Sequence, residues 1–434
     1  DVTPIRRTSG TLTNPFTTAN NSATVTVTDN GHGAEVGDFV TFSDGSANNV
    51  VNNLEMNAQF EVTTVTDNNV YTVTYVSQNG TTTLASSSGS GGGNVVATYQ
   101  IKVGTAVSQY GYGWGTFQWG KEAWGTPRSS SNVTIEGRNW SFDNFGEDLI
   151  ATVLNGGTFR WDTSAGTGTA AAVVSSAPTG SFSIQDGSKI VTAVRSRNAV
   201  LVWTDTSLNA LQFVGAPFTF NLTQIGANCG AVSLHCAVDV NGTAFWMSQN
   251  SFYKFDGAIA KMPCSVQDYV FEDFSITNQP ETFAAVNSEF NEVTWFYTSN
   301  NADQIDRFVT YNYLEDCWST GSLARTTWQD YGVYQKPYAT EYVTTDIGTV
   351  PVALGVTAGA SSLYQQETGT DNVIAGIPAF IESGDFDIAD GQPFLHIGRG
   401  IPNFKNLTGS VDMKLTFKSY PSAASSSSTV RTIV

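Results

Sequence analysis

Four tryptophans recur along the middle of the chain, each closing an apolar run and followed by a polar turn. They are Trp161 in FRWDTS, Trp203 in VLVWTDTS, Trp246 in AFWMSQN and Trp295 in VTWFYTSN, spaced 42, 43 and 49 residues apart. A second strand pattern follows at least two of the turns, SLNALQF (207–213) and SFYKFDG (251–257). A period of 40–50 residues made of strand hairpins, without helical patterns between them, predicts the blades of a β-propeller. One blade is a small twisted sheet that cannot bury both of its faces, so several must stack around an axis. A large flat indole suits the wedge between two blades. The single helical spacing lies in CSVQDYVFEDF (264–274), where Val266, Val270, Tyr269 and Phe274 predict a short helix between blades.

The flanking sequence is also β in character. Aromatic residues make up 12% of the chain and charged residues 13%, a balance that fits a turn-rich β protein. SATVTVTD, GDFVTF, QFEVTTV and VYTVTYV alternate with period two, the last pair split by Asp67-Asn68-Asn69. The resulting reading is all-β: residues 1–19 a lead-in with a first strand of the propeller region, 20–85 a small inserted barrel or sandwich, 86–138 a Gly/Ser connection with a Trp-Gly loop, 139–420 the propeller-like domain, and 421–434 a flexible Ser-rich tail. The tract LASSSGSGGGN (84–94) carries no periodicity and reads as a flexible connection. No apolar run approaches 18 residues. DVTPIRRTSG has neither a signal-peptide apolar region nor an initiating Met, which points to a start inside a longer gene product.

Charge narrows the function. With 38 Asp and Glu against 20 Lys and Arg, the net charge is −18, which opposes broad capture of nucleic-acid backbone. Cys229, Cys236, Cys264 and Cys317 form no CxxC pair and read as reduced, mostly buried thiols. Asp143, Glu147 and Asp148 lie close together around FGED, yet adjacent carboxylates on a turn lack the fixed separation that glycoside chemistry needs. Asp385, Asp387, Asp390 and Gly391 in ESGDFDIADG miss the calcium-loop order and read as a strand with acids outward. Cys229, His235 and Cys236 have no common zinc spacing, and CGAVSLHCAVDV reads as a strand. His32 and His396 are isolated, and no phosphate-cradling loop is present. The sequence therefore supplies no catalytic, cofactor or metal site, and reads as a non-enzyme.

From residue 139 onward the chain resembles a known family. NWSFDNFGEDLIATVLNGGTFRWD (139–162) is similar to the tail-nozzle proteins of short-tailed bacteriophages, also called tail tubular or packaged-DNA stabilisation proteins. The likeness continues through AVLVWTDTSLNALQFVGAPFTFNLTQIG (199–226), AFWMSQNSFYKFDG (244–257), AAVNSEFNEVTWFY (284–297), YNYLEDCWSTGSLARTTW (311–328) and FIESGDFDIADGQ (380–392). DVTPIRRT and the Trp-Gly row also look like the family's upstream portion, whereas HGAEVGDFVTF is similar to a β-module inserted in various phage structural proteins. The resemblance implies a propeller-like subunit of a ring, a hexamer, below the portal and tail adaptor, with tail fibres and the host envelope as further neighbours. Such a ring sits in the virion after assembly in the bacterial cytoplasm. Its lumen retains genomic DNA and conducts it at ejection without sequence-specific contacts. An acidic lumen would keep sliding friction low, and part of the −18 is expected there. The alternative is a receptor- or glycan-binding propeller adhesin.

Two features remain for anchoring. GYGWGTFQWGKEAWG (111–125) sets Trp114, Trp119 and Trp124 five apart, each followed by glycine. Glycine lets the backbone turn back after each ring, so the row reads as a plug into neighbouring crevices rather than a sugar platform. Arg325 and Trp328 in LARTTW read as an inter-blade or inter-subunit clamp, or as an exposed arginine at a strand end.

Overall fold

Each tryptophan period folds into a small antiparallel meander. In a computed structural model of the chain, the described residues are 4–43, 50–77, 84–101, 104–105, 107–111, 134–165, 172–173, 187, 189–215, 220–342, 361–369, 371–372, 375–376, 379–383, 397, 401, 410–420, 423, 425–427 and 430–433. Blade 1 comprises Trp140–Phe145, Asp148–Val153, Thr158–Trp161 and Ala172–Val173. Blade 2 comprises Ile190–Ser196, Ala199–Thr204, Ser207–Phe213 and Phe220–Ala227. Blade 3 runs Ala237–Val240, Thr243–Met247, Phe252–Phe255 and Ile259–Lys261, and blade 4 runs Phe283–Asn287, Glu292–Tyr297, Arg307–Asn312 and Cys317–Ser322. Thr327–Gln329, Tyr338–Tyr342 and Ser361–Gln365 form blade 5, and the five sheets make a five-bladed β-propeller. The helix Gln267–Glu272 joins blades 3 and 4 and buries Val270 completely.

The first strand of each blade lies beside the first strand of the next. These innermost strands are stitched across the blades by polar bonds. Ser141 Oγ donates to Ala193 O at 3.0 Å, and Ser196 Oγ to Gly242 O at 3.3 Å. Ala284 N donates to His235 O at 2.7 Å, and the Trp328 indole N–H to Val286 O at 2.9 Å. Between the stitches lies a shared core, in which Trp203, Trp246 and Trp295 are fully buried. Trp203 and Trp246 meet edge to face at 5.4 Å, a geometry that suits opposed ring quadrupoles. The Trp246 indole N–H donates to Cys229 O at 2.8 Å and that of Trp295 to Cys236 O at 2.9 Å, so two of the three buried dipoles are satisfied.

Trp161 departs from this pattern. The other three tryptophans sit in the second strand of their blades, whereas Trp161 ends the third strand of blade 1. The second strand there, Asp148–Val153, has no tryptophan. Any strand that ends in an apolar run before a polar turn produces the same signal, so the first 42-residue interval crosses two structural positions.

The inserted module is larger than residues 20–85. One sheet joins, in order, Ile5–Thr8, Asn94–Gln100, Phe39–Ser43, Gln59–Val65, Val70–Thr74, Thr24–Thr28, Phe16–Thr18 and Gly89–Gly91, with Leu12–Thr13 beside Asn94–Gln100. Its core includes Phe16, Val27, Phe42, Leu54, Tyr71 and Tyr99. Ile5–Thr8, Leu12–Thr13 and Phe16–Thr18 thus belong to the module rather than to the propeller, and the Ser/Gly tract contributes Gly89–Gly91 to its sheet. Gly89–Gly91 pairs with Phe16–Thr18 through the main chain, which needs no side chains. A Cβ on Gly91 would lie 3.2 Å from Val51 Cγ2, so the missing side chain lets the strands close over Val51.

Residues 369–434 form a second compact unit. Asp371–Asn372 pairs with Ala375–Gly376, Val411–Met413 with Arg431–Ile433, and Thr416–Phe417 with Ser426–Ser427. Among the described residues the propeller strands end at Gln365 rather than reaching 420, and within the expected free tail Ser426–Ser427 and Arg431–Ile433 each pair with an earlier strand.

Candidate functional site

Where the innermost strands of blades 1 to 4 reach their hairpin turns, they surround a cavity of about 650 Å³. Asp143 comes from blade 1, Arg195 and Arg197 from blade 2, and Asp239, Asn241 and Gly242 from blade 3, while valines of blades 2 to 4 supply the apolar wall. The fold brings these residues together through three short hairpins, of which the sequence had marked only FGED as a turn.

The two carboxylates have different surroundings. Asp143 Oδ2 accepts the Arg195 backbone N–H at 2.6 Å, which fixes it as a link between blades 1 and 2. Asp239 Oδ1 accepts the Gly242 N–H at 2.9 Å. Its Oδ2 is buried and meets no donor among the described residues. Gly242, at φ 82°, is needed for a second reason: a Cβ there would stand 2.7 Å from Arg197 Cγ. The Arg197 stem therefore lies across this turn, placing a blade 2 guanidinium over blade 3.

Arg197 itself has φ 50°, in the left-handed region that costs an ordinary L-residue about 1 kcal/mol. Most non-glycine residues in that region here are asparagines, which the backbone tolerates best. Arg195 and Arg197 are exposed, and among the described residues neither guanidinium has a hydrogen-bond or ion-pair partner.

The residues singled out from sequence lie elsewhere, apart from Asp143. Trp114, Trp119 and Trp124 are outside the described residues, as are Asp385, Asp387, Asp390, Gly391 and His396. Trp328 reaches from blade 5 to the Val286 carbonyl of blade 4 and lies 6.0 Å from the Phe296 ring. Arg325 is 4% exposed, pairs with Glu341 at 2.7 Å and covers the Tyr364 ring at 4.5 Å, all within blade 5. It is not an exposed strand-end arginine.

The acidic turn is likewise structural. Asp148 is ion-paired to Arg160 on the adjacent strand, and Glu147 stands apart on the turn. Cys229, His235 and Cys236 precede a strand rather than form one, since only Ala237–Val240 is extended. Cys236 is enclosed, its thiol donating to Ser233 O at 3.2 Å, while His235 faces outward. Burial pushes the Cys236 thiol pKa up, opposite to what a metal-binding thiolate needs. Among the described residues no three His, Cys, Asp or Glu side chains gather closely enough to hold a metal. His32 is buried in the module, where Nδ1 accepts the Ala34 N–H at 2.9 Å. Sequence reasoning missed Arg195, Arg197 and Asp239, because they converge only once three blades are stacked.

No family model and no curated protein matches the chain. Among solved structures it is similar to the N-terminal domain of Nup159, at 12% identity and TM-score 0.32, over 50% of this chain and 60% of that one. A putative 6-phosphogluconolactonase from Bacteroides uniformis matches at 11% identity and TM-score 0.32, over 46% and 62%. The phage phi92 endosialidase matches at 11% identity and TM-score 0.23, over 97% and 68%. At these values the likenesses carry no argument about activity.

Proposed function

We propose that the chain is a structural subunit of a short-tailed phage tail, one copy in a nozzle ring that retains packaged DNA and conducts it at ejection. The observation that carries this reading is the coincidence of two patterns. Five of the six blocks that resemble tail-nozzle proteins, 139–162, 199–226, 244–257, 284–297 and 311–328, fall on blades 1, 2, 3, 4 and the passage from 4 to 5, and the sixth, 380–392, lies past the last propeller strand and mostly outside the described residues. They contain the stitching and core residues, including Ser141, Trp203, Trp246, Trp295 and Trp328. A likeness concentrated in what holds blades together is that of a scaffold, whose chemistry is retention of shape. The charge of −18 suits a wall past which a polyanion slides. The partners on this reading are five further copies, the tail adaptor and fibres, the DNA in transit and the host envelope.

Electron microscopy of the purified protein and of virions containing it tests the reading. A sixfold collar with a channel as wide as duplex DNA is the expected result. A protein that stays monomeric and is missing from the tail would remove the nozzle reading. The second reading, a glycan-binding propeller, has one observation on its side: the open cavity where the innermost strands converge.

A further inference from the structure

We propose that three neighbouring turns of blades 4 and 5 form an apolar crest that inserts shallowly into a zwitterionic lipid surface. An antiparallel meander puts its first and third turns at the same end of the sheet, so the turns 288–291 and 313–316 of blade 4 share one end with the first turn of blade 5, 330–337. They carry Phe290, Leu314, Tyr331, Val333 and Tyr334, all exposed, Leu314 by 74% and Val333 by 98%. Large apolar side chains gathered in one place, rather than scattered singly, mark a contact site. The turns are locked to one another. Ser288 Oγ donates to Asp330, Lys336 Nζ meets both oxygens of Glu289 at 3.0 Å, and Asn312 Nδ2 donates to Phe290 O at 3.0 Å. Tyr334 meets Tyr338 edge to face at 5.2 Å, so the crest is built before any partner arrives.

The polar groups of the crest decide what it docks into. Hydrocarbon offers no hydrogen bonds, so a loop enters it only with its main chain already satisfied. Here Gly332 N donates to Tyr334 O at 3.0 Å, Tyr331 N to Asp330 Oδ1 at 2.8 Å, and Tyr313 N to Asn291 O at 3.0 Å. Asn312 Oδ1 accepts the N–H groups of Leu314 and Glu315 at 3.0 and 2.9 Å. A protein partner is held by about one hydrogen bond per 100–200 Å², and turns whose donors are already used offer few. The run Tyr331–Tyr334 is uncharged, and two tyrosines beside a valine suit the boundary between headgroups and hydrocarbon. Charges flank the tips. Lys336 is paired to Glu289, while Glu315 and Asp316 leave the rim acidic. Such a rim limits the depth of insertion and opposes anionic headgroups, which selects a zwitterionic surface. The inference goes beyond the nozzle reading and does not rest on it, because the whole crest belongs to one chain.

Co-sedimentation of the full chain with phosphatidylcholine vesicles tests it, with phosphatidylglycerol vesicles as comparator. Binding to phosphatidylcholine is expected to persist at high salt, as burial of apolar surface requires, and to exceed binding to phosphatidylglycerol. Leu314→Ser combined with Val333→Ser removes the two most exposed tips, and should lower the partition coefficient at least about tenfold with an unchanged melting temperature. The proposal is overturned if the protein does not sediment with phosphatidylcholine vesicles, if the double variant partitions as well as the wild type, or if phosphatidylglycerol vesicles bind more tightly. It is equally overturned if, without vesicles, the wild type self-associates in analytical ultracentrifugation and the double variant does not, because a second copy would then cover the crest.

Discussion

At the scale of single residues, the most consequential contact is the Arg325–Glu341 pair, in which both side chains are 5% exposed. Burial lowers the Arg325 pKa and raises that of Glu341, and each is opposed by the attraction of its partner. The balance depends on both being present. Glu341→Ala leaves a buried cation with only a ring and one carbonyl, and should cost about 3–5 kcal/mol in chemical denaturation. Replacing both by apolar residues of similar volume, Arg325→Met with Glu341→Leu, should cost much less. Arg325 stood out in the sequence, but its partners lie on two other strands and no local spacing announces them. Glu292 makes a separate prediction. Burial and the nearby charge of Glu367 raise its pKa. Because the folded value exceeds the unfolded one, this site's contribution is intact below the unfolded pKa and is lost as pH rises through the folded value. Glu292→Gln should therefore raise the melting temperature at pH 7 and leave it unchanged near about pH 2.5, where the carboxyl is protonated in both states.

At the scale of elements, the chain's first strand is tied to the module by a buried polar chain. Arg7 donates two bonds to the carboxylate of Asp29, at 2.8 and 3.1 Å, and Tyr99 OH donates a third at 2.7 Å. Tyr71 OH adjoins Tyr99 OH at 3.0 Å, and the Arg7 guanidinium lies 5.4 Å from the Tyr99 ring centre. Burial raises both tyrosine pKa values, which keeps the hydroxyls protonated as donors. Asp29→Ala removes three charge-assisted hydrogen bonds at once and should destabilise the module by about 2–4 kcal/mol, read as a lower urea midpoint. The strands Thr24–Thr28, Phe39–Ser43, Gln59–Val65 and Val70–Thr74 were legible because alternation reports a half-buried face. Gly89–Gly91 and Ser426–Ser427 were not legible, because their pairing is made by main chain and leaves no mark on the side-chain pattern. The short helix could be read, since Val266 and Val270 lie one turn apart.

At the scale of the whole molecule, the repeat was visible but its phase was not, as Trp161 shows. Blades 2, 3 and 4 share one apolar cluster through Trp203, Trp246 and Trp295, so they should unfold together. Trp295→Ala removes a fully buried indole and its bond to Cys236 O. A loss of about 3–5 kcal/mol is expected, with one transition for these blades rather than three. Separate transitions in calorimetry would contradict that coupling. The same three indoles have an optical consequence. Shielded from water, they should emit at the blue end of the tryptophan range, and Trp203 and Trp246 lie close enough to exchange excitation. Loss of the stack would shift that emission to the red and end the exchange. The propeller thus carries its own fluorophores at the seams between its blades, and its integrity can be followed by light without attaching a label.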